Sequence, residues 1–435
     1  MGKLKGVLGQ LTDNEKHTFR LHLMYSIVEG MMAGAIVLNE FIFIKALLGS
    51  SYQLGALFQT SVIVLIFSVL FNELVRRAKS KKRLLKRVAL LTHAPLALML
   101  LFPKDMEILE ATSRYHYIFL FIFLAYFLSR PFVYPTINLF LKNNYRDKYF
   151  GSLYSYGTSL QKITMLLTAF AFGVMLDFNP FVYRFVYPAL GFLGVLSIFW
   201  LTRIKFVPAH EESTAKQNIL YSVKDALKRM IGILKTNKPF LDYQLGFMLY
   251  GFAFMSTKAV ITLFYDEALH LNYTSVAFYQ NIFNVLAIFL LPVFGRLIGK
   301  IDPRKFAGLT FIALALYLFF IMITSYFPGH IEVWNLHIYY TLIIAVLFNG
   351  IFVATMSLAW YIGSAYFCSR EEAGDYQSVH LTVTGIRGLV APMIGVYFYN
   401  AIGFTGTFSI GIISLLLAVM LLLYSKRKHT LTLQQ

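Results

Sequence analysis

The stretch "PVFGRLIGKIDPRKFAGL", residues 292–309, crowds three glycines and five charged residues between two long apolar runs. In a soluble protein it would pass as a surface turn. Its surroundings exclude that reading, because 58% of the 435 residues are hydrophobic, only 14% are charged, 42 are Phe, and the mean hydropathy is +0.63. So much apolar surface cannot be hidden in one aqueous core, and the excess must face lipid.

A run of about 20 apolar residues spans a bilayer as a helix. Such runs recur along the whole chain, roughly at 21–46, 51–73, 88–103, 116–141, 152–176, 181–202, 241–265, 275–300, 306–327, 335–363, 378–400 and 403–424. The third is the weakest. It is short, carries His93 and Pro95, and needs length from the preceding "RLLK". The expected fold is therefore all-α, a polytopic membrane protein with 12 transmembrane helices in two six-helix bundles.

Charge placement gives the expected orientation. Arg76, Arg77, Lys79, Lys81, Lys82, Arg83, Lys86 and Arg87 follow the second run, and Arg296, Lys300, Arg304 and Lys305 lie near the junction after the eighth. Alternate connections are poor in Lys and Arg. This asymmetry places both termini in the cytoplasm, with a prokaryotic plasma (inner) membrane as the expected location. The formal net charge of +18 is thus assigned to topology and anionic lipid headgroups. No aromatic-studded module accompanies the basic cluster, so a nucleic-acid partner is not expected.

Residues 1–20 read as a cytoplasmic arm without a cleavable signal. Cys368 is the single cysteine, which excludes an intrachain disulfide and a multi-thiolate cluster, and the ten histidines show no paired spacing that points to zinc. No nucleotide loop or nucleophile elbow is present, so neither a cofactor nor enzymatic chemistry is expected.

The longest interruption, 203–239, becomes periodic at Ile219, Leu220, Val223, Leu227, Met230, Ile231 and Leu234, which predicts an amphipathic helix in a cytoplasmic linker. It separates an amino-terminal bundle, 21–202, from a carboxy-terminal bundle, 240–424, with 425–435 left as a cytoplasmic tail. The halves echo each other. "YRDKYFGSLYSYGTSLQK" (145–162) and "SREEAGDYQSVHLTVTGIRG" (369–388) each place a charged turn and a Gly ahead of a span, with Lys162 or Arg387 further in. A displacement of about 224 residues also brings 72–82 onto 296–306.

Within the opening stretch, "GRLIGKIDPRK" (295–305) resembles the Gly-rich, Asp-Arg-containing cytoplasmic signature of the major facilitator superfamily. The resemblance implies that Gly295 and Gly299 let helices approach, while Asp302, Arg304 and Lys305 belong to a charge network that latches the cytoplasmic side. The corresponding place after the second span, "NELVRRAKSKKR", lacks the glycines and the Asp-Arg pair, and the family's Gly-Pro-rich antiporter signature is missing from the fifth span. No subfamily is indicated.

Transporters of this fold work by alternating access around a midplane site, where ionisable residues are costly and mark function. The candidates are Glu29, Arg130, Lys162, Lys258 and Arg387. Glu29 stands beside Gly30 and Gly34, which permit close helix packing. It reads either as a structural pair with a base such as Arg130, or as a carboxylate that exchanges a proton. Lys162, Lys258 and Arg387 tilt the deep balance positive, so the expected partners are a small organic anion and a coupling proton, handled by a chain that works as a monomer. The competing readings are a neutral, cationic or lipid-like solute, or a non-transporting receptor or scaffold of the same fold.

Overall fold

The computed structural model describes residues 10–66, 71, 75, 78, 80–206, 219–298, 300–368 and 373–429. Helices dominate, and their starts are chemically marked. The hydroxyl of Thr12 and the carboxylate of Glu15 form a reciprocal capping box before Asp13–Ile36 (α1). Asn237 and Asp302 cap Lys238–Leu263 and Pro303–Thr324, each of which carries a proline in its first turn, where the missing N–H costs nothing.

Ten helices among the described residues are long and apolar enough to cross a membrane. The protein is thus an all-α polytopic membrane protein. The helix Lys81–His93 supplies the length that the third apolar run lacks, and it passes into a 3-10 segment, Ala94–Leu101. Pro95 explains the change, since it removes one N–H and crowds the preceding turn. Ser51–Ile66 is a 16-residue helix, and most of 67–79 lies outside the described residues. The last helix, Ala373–Lys428, is broken at Gly403, whose φ of 70° is non-helical.

The chain packs as two units, Met1–Leu48 with Phe67–Ile219, and Gly49–Ile66 with Leu220–Gln435. In the first, α1 lies along Asp147–Phe178 (α2). Gly30 and Gly34 allow this, because a Cβ on Gly34 would stand 2.9 Å from the backbone nitrogen of Ala169, and one on Gly30 would meet the carbonyl of Gln161. Leu85, Phe140, Leu153, Ile198 and Leu201 close the core at one end.

In the second unit, Lys238–Leu263 (α3) packs along Ala373–Lys428 (α4), and Pro303–Thr324 (α5) packs against both α4 and Tyr340–Ile362 (α6). Phe247, Tyr250, Phe311 and Phe352 interlock at its centre. The helix Ser51–Ile66, although early in sequence, belongs here: the side-chain amide of Gln59 donates to the carbonyl of Leu389. A two-stranded antiparallel hairpin, His330–Val333 (β1) and Leu336–Tyr339 (β2), joins α5 to α6.

Candidate functional site

Asp302 begins α5, and its carboxylate accepts from the backbone N–H of Arg304 at 2.8 Å. The Arg304 side chain then turns back on it, donating from Nε to Oδ1 at 3.0 Å and from Nη2 to Oδ2 at 2.8 Å. The remaining donors reach the far end of α4. Nη1 serves the carbonyl and hydroxyl of Ser425 at 3.0 and 3.3 Å, and Nη2 serves the carbonyl of His429 at 2.8 Å. All five N–H groups are used, which is how a guanidinium with 0% exposure can be retained. The cation also faces the carbonyl oxygens and negative pole of a helix end.

Partial burial raises the proton affinity of Asp302, but the hydrogen bonds and charge of Arg304 outweigh it and hold the carboxyl below its ordinary range. Lys305 is exposed and lies beside Lys426. No described atom comes within 4 Å of a Cβ placed on Gly295, and Gly299 lies outside the described residues. The charge network of the opening stretch therefore closes inside one unit, between the start of α5 and the end of α4.

Deep in the same unit, Arg387 is 6% exposed. Its Nη1 donates to the carbonyl of Phe247, and its guanidinium lies 5.4 Å from the ring centre of Tyr250 and 5.9 Å from that of Trp360. Gly251 makes the room, since a Cβ there would fall on the guanidinium. No carboxylate among the described residues forms an ion pair with it, and Nε has no hydrogen-bond partner. Two turns earlier on α4, His380 Nδ1 is 3.1 Å from Gln244 Oε1, and its ring meets Trp360 edge-on at 4.7 Å. Lys258, by contrast, is exposed and places its ammonium 4.9 Å over the ring of Phe58. Lys258 and Arg387 thus share a unit but not their surroundings.

In the first unit, Glu29 is half-buried on α1, and its Oε1 accepts from the hydroxyl of Tyr134 at 2.8 Å. Tyr25 and Tyr126 are its further electrostatic neighbours. Arg130 is near enough to feel the Glu29 charge, yet among the described residues the two form no ion pair within 4.0 Å. Arg130 instead lies 4.7 Å over the ring of Phe127, leaving Nε without a hydrogen-bond partner. Lys162 is half-buried on α2 and makes no ion pair with a described residue.

Two features escape a reading based on deep charges. His380 and Gln244, both buried, form with the half-buried Trp360 a polar and aromatic cluster beside Arg387. Glu15, 2% exposed, takes a bidentate Arg146 at 3.0 and 2.8 Å, while the same guanidinium reaches the carbonyl of Gln10 at 2.7 Å. The Thr-x-x-Glu spacing of the capping box was the available signal for Glu15.

Two helical units, each with ionisable groups sunk among apolar spans, define a polytopic membrane transporter rather than an enzyme. The chain belongs to the Major Facilitator Superfamily, whose sequence profile matches residues 31–338. It is similar in fold to the nucleoside transporter NupG, with 12% identity, a TM-score of 0.68, and coverage of 96% of this chain and 99% of that one. It is also similar to a peptide transporter, POT, in complex with sulfate (15% identity, TM-score 0.67, 95% and 94% covered). A structure described as giving insights into substrate recognition in proton dependent oligopeptide transporters shares 13% identity at a TM-score of 0.64, with 95% and 100% covered. No curated protein matches the chain in sequence.

Proposed function

We propose that this chain is a proton-coupled secondary transporter of a small polar solute, neutral overall, and that Glu29 carries the coupling proton. The observation that supports the coupling role most is the bond between Glu29 and Tyr134. A phenol can donate to a carboxylate and accept from a carboxylic acid, so it serves Glu29 in either protonation state. A close arginine partner would instead hold the group ionised.

An anionic solute requires Lys162, Lys258 and Arg387 to act together. Lys258 is exposed over Phe58, whereas Arg387 is buried against the Phe247 carbonyl and two aromatic faces, so the two do not converge on one anion site. The similar folds named for nucleoside and peptide transport favour a solute without net charge. In this reading twelve crossings are reached by counting Ser51–Ile66 and the two arms of α4, the residues around 203–239 link the halves, both termini are cytoplasmic, and the protein works as a monomer in the plasma (inner) membrane.

The test is uptake into proteoliposomes under an imposed pH gradient, using neutral nucleosides, dipeptides and dicarboxylates as a panel. Accumulation of a neutral or zwitterionic member, abolished by a proton carrier, is expected. Accumulation of dicarboxylates alone would overturn the solute assignment.

A further inference from the structure

The hairpin between α5 and α6 gathers three metal-ligating side chains that the described transport machinery does not use. Strands alternate their faces, so His330 and Glu332 point the same way, and the register pairs Glu332 with His337. One ring nitrogen of each histidine and one carboxylate oxygen of Glu332 lie within 4.8 Å of one another. Their separation in the chain carries no ligand signature; the hairpin makes the cluster.

The hairpin is held in place from several sides. Trp334 and Asn335, with φ of 47° and 66°, form the tight turn that suits a two-residue connection. Asn272 Nδ2 donates to the Asn335 carbonyl at 2.6 Å, the His337 N–H donates to Ser275 Oγ at 2.9 Å, and the Tyr279 hydroxyl donates to the His337 carbonyl at 2.9 Å. The cluster is therefore mounted on the start of the helix Tyr273–Ile298 rather than on a free loop.

The ring nitrogens are also biased. His330 Nδ1 lies 3.1 Å from the carbonyl of Pro328, which can only accept, so Nδ1 carries the hydrogen and Nε2 keeps its lone pair. His337 Nδ1 lies 3.2 Å from Glu332 Oε1. Two imidazoles and one carboxylate, with His330 and Glu332 exposed, form a three-ligand set that suits zinc and leaves a fourth position for water.

We propose that His330, Glu332 and His337 bind one zinc ion at the surface of this hairpin. The ligands close by about 1 Å around the ion, since zinc holds nitrogen and oxygen at roughly 2.0–2.2 Å. Bound metal ties β1 to β2 at the end of α5 opposite Asp302, with no step of transport required of it.

The experiment uses the full chain in detergent, freed of any purification tag and stripped with a chelator, with zinc ion then competed against a chromophoric chelator. One zinc per chain at low-micromolar affinity is expected, with His337→Ala and the milder Glu332→Gln each weakening it by about tenfold or more. Cobalt should give the visible bands of a four-coordinate site in the native chain and lose them in both variants. Absence of zinc binding, or binding of equal strength and stoichiometry in Glu332→Gln and His337→Ala, would overturn the assignment.

Discussion

Arg304, at the first turn of α5, donates from Nη1 to the carbonyl of Ser425 at 3.0 Å, and so ties the start of one helix to the end of the last. Asp302 aims that guanidinium and neutralises it from the other side. Removing one member of a buried pair is costlier than the pair is worth, because the survivor stays buried and uncompensated. Arg304→Ala should therefore cost about 3–5 kcal/mol of stability. It would be read as a lowered thermal midpoint in detergent, and Arg304→Lys should rescue it only in part because an ammonium cannot reproduce the fork.

The same pair predicts a dependence on pH. The Asp302 carboxyl is held below its ordinary value, so its contribution is complete above the unfolded value and is lost as pH falls through the lower, folded one. Native protein should lose thermal stability in that acidic window more steeply than Asp302→Asn. Parallel curves for the two proteins would count against the assignment.

Gly251 and Arg387 give a steric prediction. A methyl group at 251 would occupy the space of the guanidinium. Gly251→Ala should displace Arg387 from the Phe247 carbonyl, cost about 1–3 kcal/mol through overpacking, and impair transport to a degree similar to Arg387→Ala. The two changes combined should be far from additive, which transport assays on the single and double variants would reveal.

Much of the architecture is legible in the residue pattern, because lipid demands long apolar runs and each run announces itself. The third span is an informative case. The basic start at Lys81 hides helix that Pro95 prevents the apolar part from supplying. The site is less legible. Asp302 and Arg304 are two residues apart and read as a unit, but Ser425 and His429 are more than a hundred residues away, and nothing local marks their carbonyls as the target. Likewise, two opposite deep charges suggested a Glu29–Arg130 pair. Tyr134, one helical turn beyond Arg130, takes the carboxylate instead, and an aromatic among so many carries no mark of that role.

Tyr134→Phe removes the hydroxyl that meets Glu29 without removing the ring. It should move the pH at which uptake is half-maximal while leaving expression and thermal stability nearly unchanged. A pH profile that superimposes on that of the native protein would separate Tyr134 from coupling.

If Glu29 couples solute movement to protons, two modes of transport should separate in proteoliposomes holding either native protein or Glu29→Gln. The solute is the neutral or zwitterionic member of the panel that the native protein accumulates. With solute on both sides and no pH gradient, exchange should proceed at similar rates in the two proteins, because it requires the carrier to reorient only while loaded. With solute outside and a pH gradient imposed, the native protein should concentrate it, and Glu29→Gln should bring it only to equal concentrations. Undiminished accumulation by Glu29→Gln would show that Glu29 does not carry the coupling proton.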